Sequence, residues 1–313
     1  MKKISEITPV TPAILVKGDT IGLIAPAGPV LSENEFQAGA KILAEMGFRI
    51  KSSRNLRATD HYLAGSDQQR ATDFCDLWQD PKVKAIMAVR GGYGSIRMLP
   101  MVKMDLVRQN PKIFIGFSDV SVLLNNIFTA TGVITFHGPM LTTLPRSDQD
   151  SLQSLFDLLT RPPLTKIKPS KLEIITPGKA QGILLGGNLT TLSQLLATPY
   201  EQPWQDIILF IEDVGEAPYR IDRMLTQLKE SGRLDKLSGL IMGSFYDGGN
   251  SARDDTELIW QRAKELSEDK FPVWANFPIG HTARNQIIPI GIRAEMDSDH
   301  RTLHFKEPAT RLR

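Results

Sequence analysis

Residues 113–127 read Ile113-Phe-Ile-Gly-Phe-Ser-Asp-Val-Ser-Val-Leu-Leu-Asn-Asn-Ile127. The stretch starts with a short apolar run, typical of a buried strand, and continues with a turn that contains Gly116 and Ser118. Apolar residues then recur at helical spacing from Val120 to Ile127. We therefore predict a strand, a sharp turn and a helix, which is the unit from which parallel sheets are built.

The same unit recurs upstream of this stretch. Helices are predicted around residues 32–44 and 67–78, the first capped by Ser32, and a further helix over residues 97–107. Three apolar or alternating runs separate them as predicted strands: Thr20-Ile-Gly-Leu-Ile-Ala25, Phe48-Arg-Ile-Lys-Ser52 and Ala85-Ile-Met-Ala-Val89. Strands that alternate with helices indicate an α/β fold with a mostly parallel sheet, whose ligands bind at the loops after the strands.

The chain is predicted to form two domains. Residues 148–178 contain several prolines among lysines and serines, which is typical of an irregular connector. We expect residues 1–147 to form the N-terminal α/β domain and residues 179–313 the C-terminal domain. The predicted elements of the C-terminal domain are strands at 181–188, 207–211 and 240–243, helices at 219–231 and 256–266, and a closing hairpin within 286–305.

Composition narrows the class of protein. The 313 residues are 41% hydrophobic and 23% charged, with a net charge of +2, which is ordinary for a globular chain. This charge gives no reason to expect a nucleic acid or a membrane as a partner.

Cys75 is the one cysteine, so neither an internal disulfide nor a cysteine-rich metal site is expected. The N-terminal residues lack the apolar stretch of a signal peptide, and we expect a cytoplasmic location.

Ser118 is the first residue that could carry chemistry. It lies between the predicted strand and helix, which is the position of the nucleophile in the sharp turn of α/β hydrolases. The sequence departs from the usual Gly-x-Ser-x-Gly pattern, because Ser121 stands in place of the second glycine. Ser118 could alternatively serve only as the N-cap of the following helix.

A serine nucleophile needs a base and a carboxylate that orients it. Of the five histidines, His137 and His281 are equal candidates on spacing, because each follows an apolar segment. Glu212 and Asp213 directly follow a predicted buried strand, and alternation sends their side chains to opposite faces. Glu216 is a weaker third choice.

Backbone N–H groups must bind the oxyanion that serine attack creates. The N–H of Asp119, directly after Ser118, is one candidate, and the loop Arg90-Gly-Gly-Tyr-Gly94 could supply the other. The same loop could instead hold a phosphate, although it lacks the ending of a P-loop. No spacing of His, Cys or carboxylates indicates a metal site.

Eight segments, taken together and in order, resemble the LD-carboxypeptidase family of serine peptidases. They cover the chain from about residue 18 to 297, and their joint occurrence is far more specific than any one of them. The segments are Gly18-Asp-Thr-Ile-Gly-Leu-Ile-Ala-Pro-Ala-Gly28, Tyr62-Leu-Ala-Gly-Ser-Asp67, Val89-Arg-Gly-Gly-Tyr-Gly-Ser95, Ile115-Gly-Phe-Ser-Asp119, Phe136-His-Gly-Pro139, Gly186-Gly-Asn-Leu189, Ile211-Glu-Asp-Val-Gly-Glu-Ala-Pro-Tyr-Arg-Ile-Asp-Arg223 and Gly280-His-Thr282.

The resemblance implies a catalytic triad of Ser118, His281 and Glu212, with oxyanion donors from the N–H groups of Asp119 and Gly92. His137 then has a structural role near the site. The resemblance also implies an N-terminal domain like that of class I glutamine amidotransferases, a smaller C-terminal domain of swivelling β/α type, and a homodimer. No cofactor or metal is implied.

Family substrates are murein tetrapeptides, from which terminal D-alanine is removed in the cytoplasm. An arginine is expected to bind the free carboxylate, and Arg90, Arg220 and Arg284 lie near the motifs. Asn188 is a further expected substrate contact. One alternative is the branch of the family that confers immunity to nucleotide-peptide antibiotics, with Trp204 or Tyr246 as a platform for the base. Another is a non-catalytic binding protein on the same scaffold.

Overall fold

The computed structural model describes residues 4–161, 165–246 and 256–313 of the chain. Its helices are α1 (Glu33–Glu45), α2 (Asp67–Gln79), α3 (Ser95–Met98), α4 (Met104–Gln109), α5 (Ser121–Thr131), α6 (Gln149–Thr160), α7 (Leu189–Ser193), α8 (Pro218–Glu230) and α9 (Thr256–Ser267). Its strands are β1 (Thr20–Ile24), β2 (Arg49–Ser52), β3 (Val83–Ala88), β4 (Ile113–Gly116), β5 (Thr135–His137), β6 (Lys166–Ile167), β7 (Glu173–Thr176), β8 (Lys179–Asn188), β9 (Ile207–Val214), β10 (Gly239–Tyr246), β11 (Val273–Ala275), β12 (Ile288–Ile290), β13 (Arg293–Asp297) and β14 (Thr302–Phe305).

The N-terminal part of the chain forms a six-stranded sheet of order β12-β5-β4-β3-β1-β2. Strands β1 to β5 run parallel, and only β12 is antiparallel to its neighbour. The connecting helices begin where capping residues stand: the Ser32 side chain accepts a hydrogen bond from the Glu35 N–H at 3.2 Å. The predicted α/β class with a parallel N-terminal sheet is confirmed.

A separate eight-stranded sheet, of order β6-β14-β13-β8-β9-β10-β11-β7, forms the core of the C-terminal domain. Its central strands β8 to β11 are parallel, and the flanking strands are antiparallel. The predicted closing hairpin is present as β13 and β14. Helix α5 is buried on most of its surface, because it packs against the first sheet and also against β8 of the second.

The structure corrects two predictions of secondary structure. A continuous helix over residues 97–107 is wrong: α3 ends at Met98, and Pro100 lies in a short 3₁₀ helix before α4 begins. The first arm of the predicted hairpin, residues 286–296, is not one strand, because Gly291, with φ of 92°, separates β12 from β13. Strand β12 pairs with β5 of the first sheet.

The predicted domain limits stay a prediction, but two features bear on them. The segment predicted as a connector is more regular than expected, since it contains α6 and the strands β6 and β7, which join the second sheet. Strand β12 comes from the second half of the chain and completes the first sheet. Prolines 162 and 163 of the predicted connector lie outside the described residues. Within the described ranges, no helix is long and apolar enough to cross a membrane.

Candidate active site

Ser118 follows β4 at a turn with unusual backbone geometry. Its φ is 62°, a left-handed conformation that non-glycine residues adopt rarely and mainly at functional turns. It begins a 3₁₀ helix (Ser118–Val120) that leads into α5, and no side chain caps either helix at this point. The alternative role of Ser118 as an N-cap is therefore wrong, and Ser118 lines a cavity.

The cavity has a volume of about 280 Å³ and lies at the carboxyl ends of the parallel strands. This is where an α/β sheet is expected to bind its ligand. The lining residues come from the loop after β1 and the start of α1, the loop after β3, the nucleophile turn, the segment after β5 and the loop that carries His281. They are Leu31, Ser32, Glu35, Arg90, Gly91, Gly92, Phe117, Ser118, Met140, Thr142, Thr143, Arg146 and His281.

The loop after β3 packs directly against the predicted nucleophile. A β-carbon on Gly91 would lie 2.7 Å from Ser118 Cβ and 2.8 Å from its Oγ, so only glycine fits. Gly92 follows with φ of 123° and also lines the cavity. The Asp119 backbone nitrogen lies 3.6 Å from the same β-carbon position. The two N–H groups predicted to bind the oxyanion thus belong to segments that touch at Ser118.

The Asp119 side chain ties these two segments together. Its carboxylate accepts a hydrogen bond from the Ser95 N–H at 2.8 Å, at the start of α3. Burial raises the pKa of Asp119, while hydrogen bonds from Ser95 and Gly94 and the charge of Arg70 partly offset that rise. The nucleophile turn is thereby fixed to the end of the glycine-rich loop.

Glu212 and His281 form a close pair, of which His281 lines the cavity. The Nδ1 atom of His281 lies 2.7 Å from Oε2 of Glu212, whose side chain is fully buried. Glu212 lies in β9 after the apolar run from Ile207 to Ile211, and His281 lies in the loop before β12. A carboxylate at Nδ1 leaves Nε2 of the imidazole as the atom that can exchange a proton in the cavity.

The Glu212 carboxylate also controls the titration of His281. Burial alone would lower the pKa of His281, but the charge and hydrogen bond of Glu212, with a smaller effect of Asp213, outweigh it. The pKa of His281 is therefore raised above its ordinary value. A carboxylate that raises the basicity of an imidazole is the arrangement that a general base requires.

Asp213 has a different role from its neighbour, as strand alternation predicts. Its carboxylate accepts hydrogen bonds from Asn188 Nδ2 at 2.9 Å and from the Thr190 N–H at 2.8 Å, at the start of α7. The Asn188 side-chain oxygen accepts the Thr191 N–H at 3.0 Å. Asn188, predicted to contact substrate, thus has both ends of its amide engaged within the fold, and it does not line the cavity.

Of the predicted carboxylate-binding arginines, only Arg90 lines the cavity. It is half-buried, and its Nη1 donates to the Pro29 carbonyl at 3.2 Å. Burial lowers the pKa of Arg90, and the charge of Glu35 partly offsets this. Arg220 instead pairs with Glu216 at 3.3 Å on the surface, and Arg284 does not reach the cavity.

His137 is fully buried beneath the site. Its ring lies 5.7 Å from the Phe117 ring and 5.2 Å from the Phe210 ring, both nearly edge-on. Burial lowers the pKa of His137 to about 4, so it stays neutral near pH 7. The structure brings His281, and not His137, to the cavity that contains Ser118.

Arg70 and Arg146 were missed in the sequence. The buried Arg70 donates from Nη1 to the carbonyls of Pro26 and Gly94, at 2.7 and 2.8 Å, and pairs with Asp67. It therefore joins the loops after β1 and β3 that form the cavity. Arg70 can play this role because it is buried. Its burial could not be predicted from the sequence, where Arg70 occupies an ordinary polar position within predicted helix 67–78. Arg146 ends a 3₁₀ helix at the cavity wall.

The remaining residues considered in the sequence lie away from the cavity. Trp204 is buried, and its Nε1 donates to Glu201 at 2.9 Å, so its ring presents no open platform. The side chain of Tyr246 lies outside the described part of the structure. Across the described ranges, no group of three or more His, Cys, Asp or Glu side chains is arranged to hold a metal ion.

Comparison with known proteins assigns the chain to a family of peptidases. The chain matches the family model of the LD-carboxypeptidase N-terminal domain over residues 21–138 and that of the C-terminal domain over residues 181–296. The chain belongs to the LD-carboxypeptidase family.

Individual relatives cover nearly the whole chain. A probable murein peptide carboxypeptidase of Bacillus subtilis is 36% identical over 93% of this chain and 92% of its own. The microcin C7 self-immunity protein MccF of Escherichia coli is 30% identical over 96% of both chains. The crystal structure of an MccF-like protein from Bacillus anthracis superposes with a TM-score of 0.87, at 28% identity, over 95% of this chain and 99% of that one.

Proposed function

We propose that this protein is a serine-type LD-carboxypeptidase that removes terminal D-alanine from murein tetrapeptides. The observation that carries the proposal is that His281, whose Nδ1 lies 2.7 Å from the buried Glu212 carboxylate, lines the same cavity as Ser118. The family membership and the name of the Bacillus subtilis relative support the substrate class.

In the proposed mechanism, Nε2 of His281 takes the Ser118 proton as Oγ attacks the carbonyl carbon of the diamino acid. The tetrahedral oxyanion is bound by the N–H groups of Asp119 and Gly92. His281 then gives its proton to the leaving amine of D-alanine, and an acyl-enzyme remains. Water, activated by the same imidazole, hydrolyses this ester and restores Ser118. Glu212 holds the imidazole orientation and stabilises its cationic form.

Arg90 is the proposed ligand of the terminal carboxylate. In a carboxypeptidase substrate this carboxylate lies one residue beyond the scissile carbonyl, so its partner must be close to the oxyanion donors. Arg90 directly precedes Gly91 and Gly92 and lines the cavity. A guanidinium matches a carboxylate in shape and charge.

The first experiment is incubation of the purified protein with murein tetrapeptide, read by mass spectrometry, beside Ser118→Ala. We expect loss of one D-alanine with the wild-type protein and a drop of at least about 10³-fold with the variant. Cleavage by both proteins would contradict the role of Ser118. A serine-reactive phosphonate that labels neither protein would favour a non-catalytic binding protein.

The immunity activity is the second candidate, favoured by the similarity to MccF. Burial of Trp204 removes one of the two aromatic side chains that could have stacked on a nucleobase. A peptidyl-nucleotide offered in parallel with the tetrapeptide separates the two activities.

The cytoplasmic location and the homodimer that the resemblance implies are also proposals. Cell fractionation tests the location, and light scattering tests the homodimer.

A further inference from the structure

The cavity wall contains an ion pair that the proposed mechanism does not use. Nη1 of Arg146 lies 3.6 Å from Oε1 of Glu35, and both side chains line the cavity with Ser118 and His281. The side chains are 68% and 40% exposed. A loose, exposed pair of this kind contributes little to stability, because water screens it. Both charges thus stay available to a ligand at little cost.

The two charged groups stand on elements that are fixed to each other. Glu35 lies in the first turn of α1, and Arg146 ends the 3₁₀ helix Leu141–Arg146. A β-carbon on Gly39 of α1 would lie 2.1 Å from the Leu141 carbonyl oxygen, so the absence of a side chain lets the two backbones touch. The separation of the two backbone segments that carry Glu35 and Arg146 is therefore set by close packing, which keeps both side chains within reach of one ligand.

A ligand that carries an ammonium and a carboxylate on one carbon matches this pair. The ammonium replaces Arg146 as the partner of Glu35, and the carboxylate replaces Glu35 as the partner of Arg146, so that no charge is left unpaired. A ligand with only one of the two charges breaks the ion pair and satisfies one side alone. This arrangement does not use Arg90, the proposed ligand of the terminal carboxylate of the peptide.

We propose that Glu35 and Arg146 form a subsite that reads the zwitterionic end of a diaminodicarboxylic acid in the third position of the stem peptide. This inference rests on the proposed function, since it names which tetrapeptide the peptidase prefers. Glu35 and Arg146 act here as specificity-determining residues and take no part in the chemical step.

The test uses three tetrapeptides that differ only at the third residue: meso-diaminopimelate, lysine, which lacks the distal carboxylate, and 2-aminopimelate, which lacks the distal ammonium. Dissociation constants are measured by calorimetry with Ser118→Ala, so that binding is seen without turnover. We expect the diaminopimelate peptide to bind about tenfold more tightly than either other peptide, as hydrogen bonds to charged groups imply.

Two variants in the Ser118→Ala background assign the charges. Glu35→Gln is expected to remove the preference for diaminopimelate over 2-aminopimelate and to keep its preference over lysine. Arg146→Gln is expected to do the reverse. Glu33→Gln is the matched control, because Glu33 lies on the same helix turn, pairs with Arg57 and does not line the cavity.

Equal affinities for the three peptides, no binding, or preferences unchanged in both variants would overturn the subsite. The same peptides given to the protein with Ser118 intact test the chemistry separately. Selective binding without release of D-alanine would overturn the proposed peptidase and leave the subsite standing. Release of D-alanine from all three peptides at equal kcat/KM would overturn the subsite and support the peptidase.

Discussion

Asn125, on the helix that follows the predicted nucleophile, exchanges two hydrogen bonds with the backbone of Gly186 in β8. Its Nδ2 donates to the Gly186 carbonyl at 2.8 Å, and its Oδ1 accepts the Gly186 N–H at 3.2 Å. Helix α5 begins directly after the Ser118 turn, and β8 is the neighbour of β9, which carries Glu212. This pairing therefore fixes the two halves of the predicted triad, which come from different sheets, relative to each other.

Asn125→Ala should reduce both stability and turnover. It leaves the buried Gly186 N–H and carbonyl without partners, which costs about 2–4 kcal/mol of unfolding free energy. We expect kcat/KM to fall at temperatures where the variant is still folded, because the positions of Ser118 and Glu212 are no longer coupled. Asn126→Ala, at a partly exposed position of the same helix, is the control for helix effects. Unchanged kcat/KM in a destabilised Asn125→Ala protein would contradict the coupling.

Neighbouring carboxylates Glu212 and Asp213 should respond differently to neutralisation. Glu212→Gln is expected to reduce kcat by several orders of magnitude, because it removes the charged partner of His281. The melting temperature should stay nearly unchanged. Asp213→Asn should instead lower stability by about 1–3 kcal/mol, since its carboxylate accepts several hydrogen bonds at the start of α7. Steady-state kinetics and thermal unfolding of both variants show which carboxylate orients His281 and which stabilises the fold. A larger loss of kcat in Asp213→Asn would mean that the orienting carboxylate was wrongly chosen.

The pH profile should report the titration of His281. The imidazole can accept the Ser118 proton only when it is neutral, so activity is lost as the pH falls through its pKa. Since Glu212 raises this pKa above the ordinary value of 6.5, the acidic limb of kcat/KM is expected above pH 6.5. In Glu212→Gln the lowering effect of burial remains, and the limb should move to lower pH in the residual activity. A limb that Glu212→Gln does not shift would exclude His281 as the titrating base, and a limb at or below pH 6.5 in the wild-type protein would contradict the raised pKa.

The sequence predicts the parts of the site that depend on local pattern. Strand β4, the Ser118 turn and α5 are encoded by one run of apolar spacing and a glycine, and Glu212 is placed by the apolar run of β9. Spacing alone left His137 and His281 equal, because the partner of either histidine is distant in sequence. Without the family resemblance, the choice between them requires the three-dimensional distance from His281 to Glu212.

The parts that sequence did not predict depend on packing between distant segments. Strand β12 looks like a continuation of β13, and only its pairing with β5 places it in the first sheet. Arg146 ends a short 3₁₀ helix whose position is set by the contact between α1 and Leu141. Arg70 has the sequence environment of a surface helix, and its burial under the loops after β1 and β3 is a tertiary effect. No local rule identifies such residues.

Arg90 should account for the recognition of the terminal carboxylate, and the other two predicted arginines should not. Arg90→Gln is expected to raise KM by about 10- to 100-fold with a smaller effect on kcat, because a charged hydrogen bond contributes about 1.5–3 kcal/mol. Arg284→Gln and Arg220→Gln, outside the cavity, should change KM less than about twofold. Arg90→Lys retains the charge and should recover part of the loss.

A substrate whose terminal carboxylate is converted to an amide separates this role from a structural one. Arg90 donates to the Pro29 carbonyl, so its removal could also disturb the loop that carries Gly91 and Gly92. Loss of carboxylate binding predicts that wild-type protein prefers the free acid over the amide and that Arg90→Gln does not distinguish them. A disturbed loop predicts that the variant loses activity on both substrates by the same factor. The ratio of kcat/KM for acid and amide therefore measures the carboxylate contact itself, because any damage to the oxyanion donors cancels in that ratio.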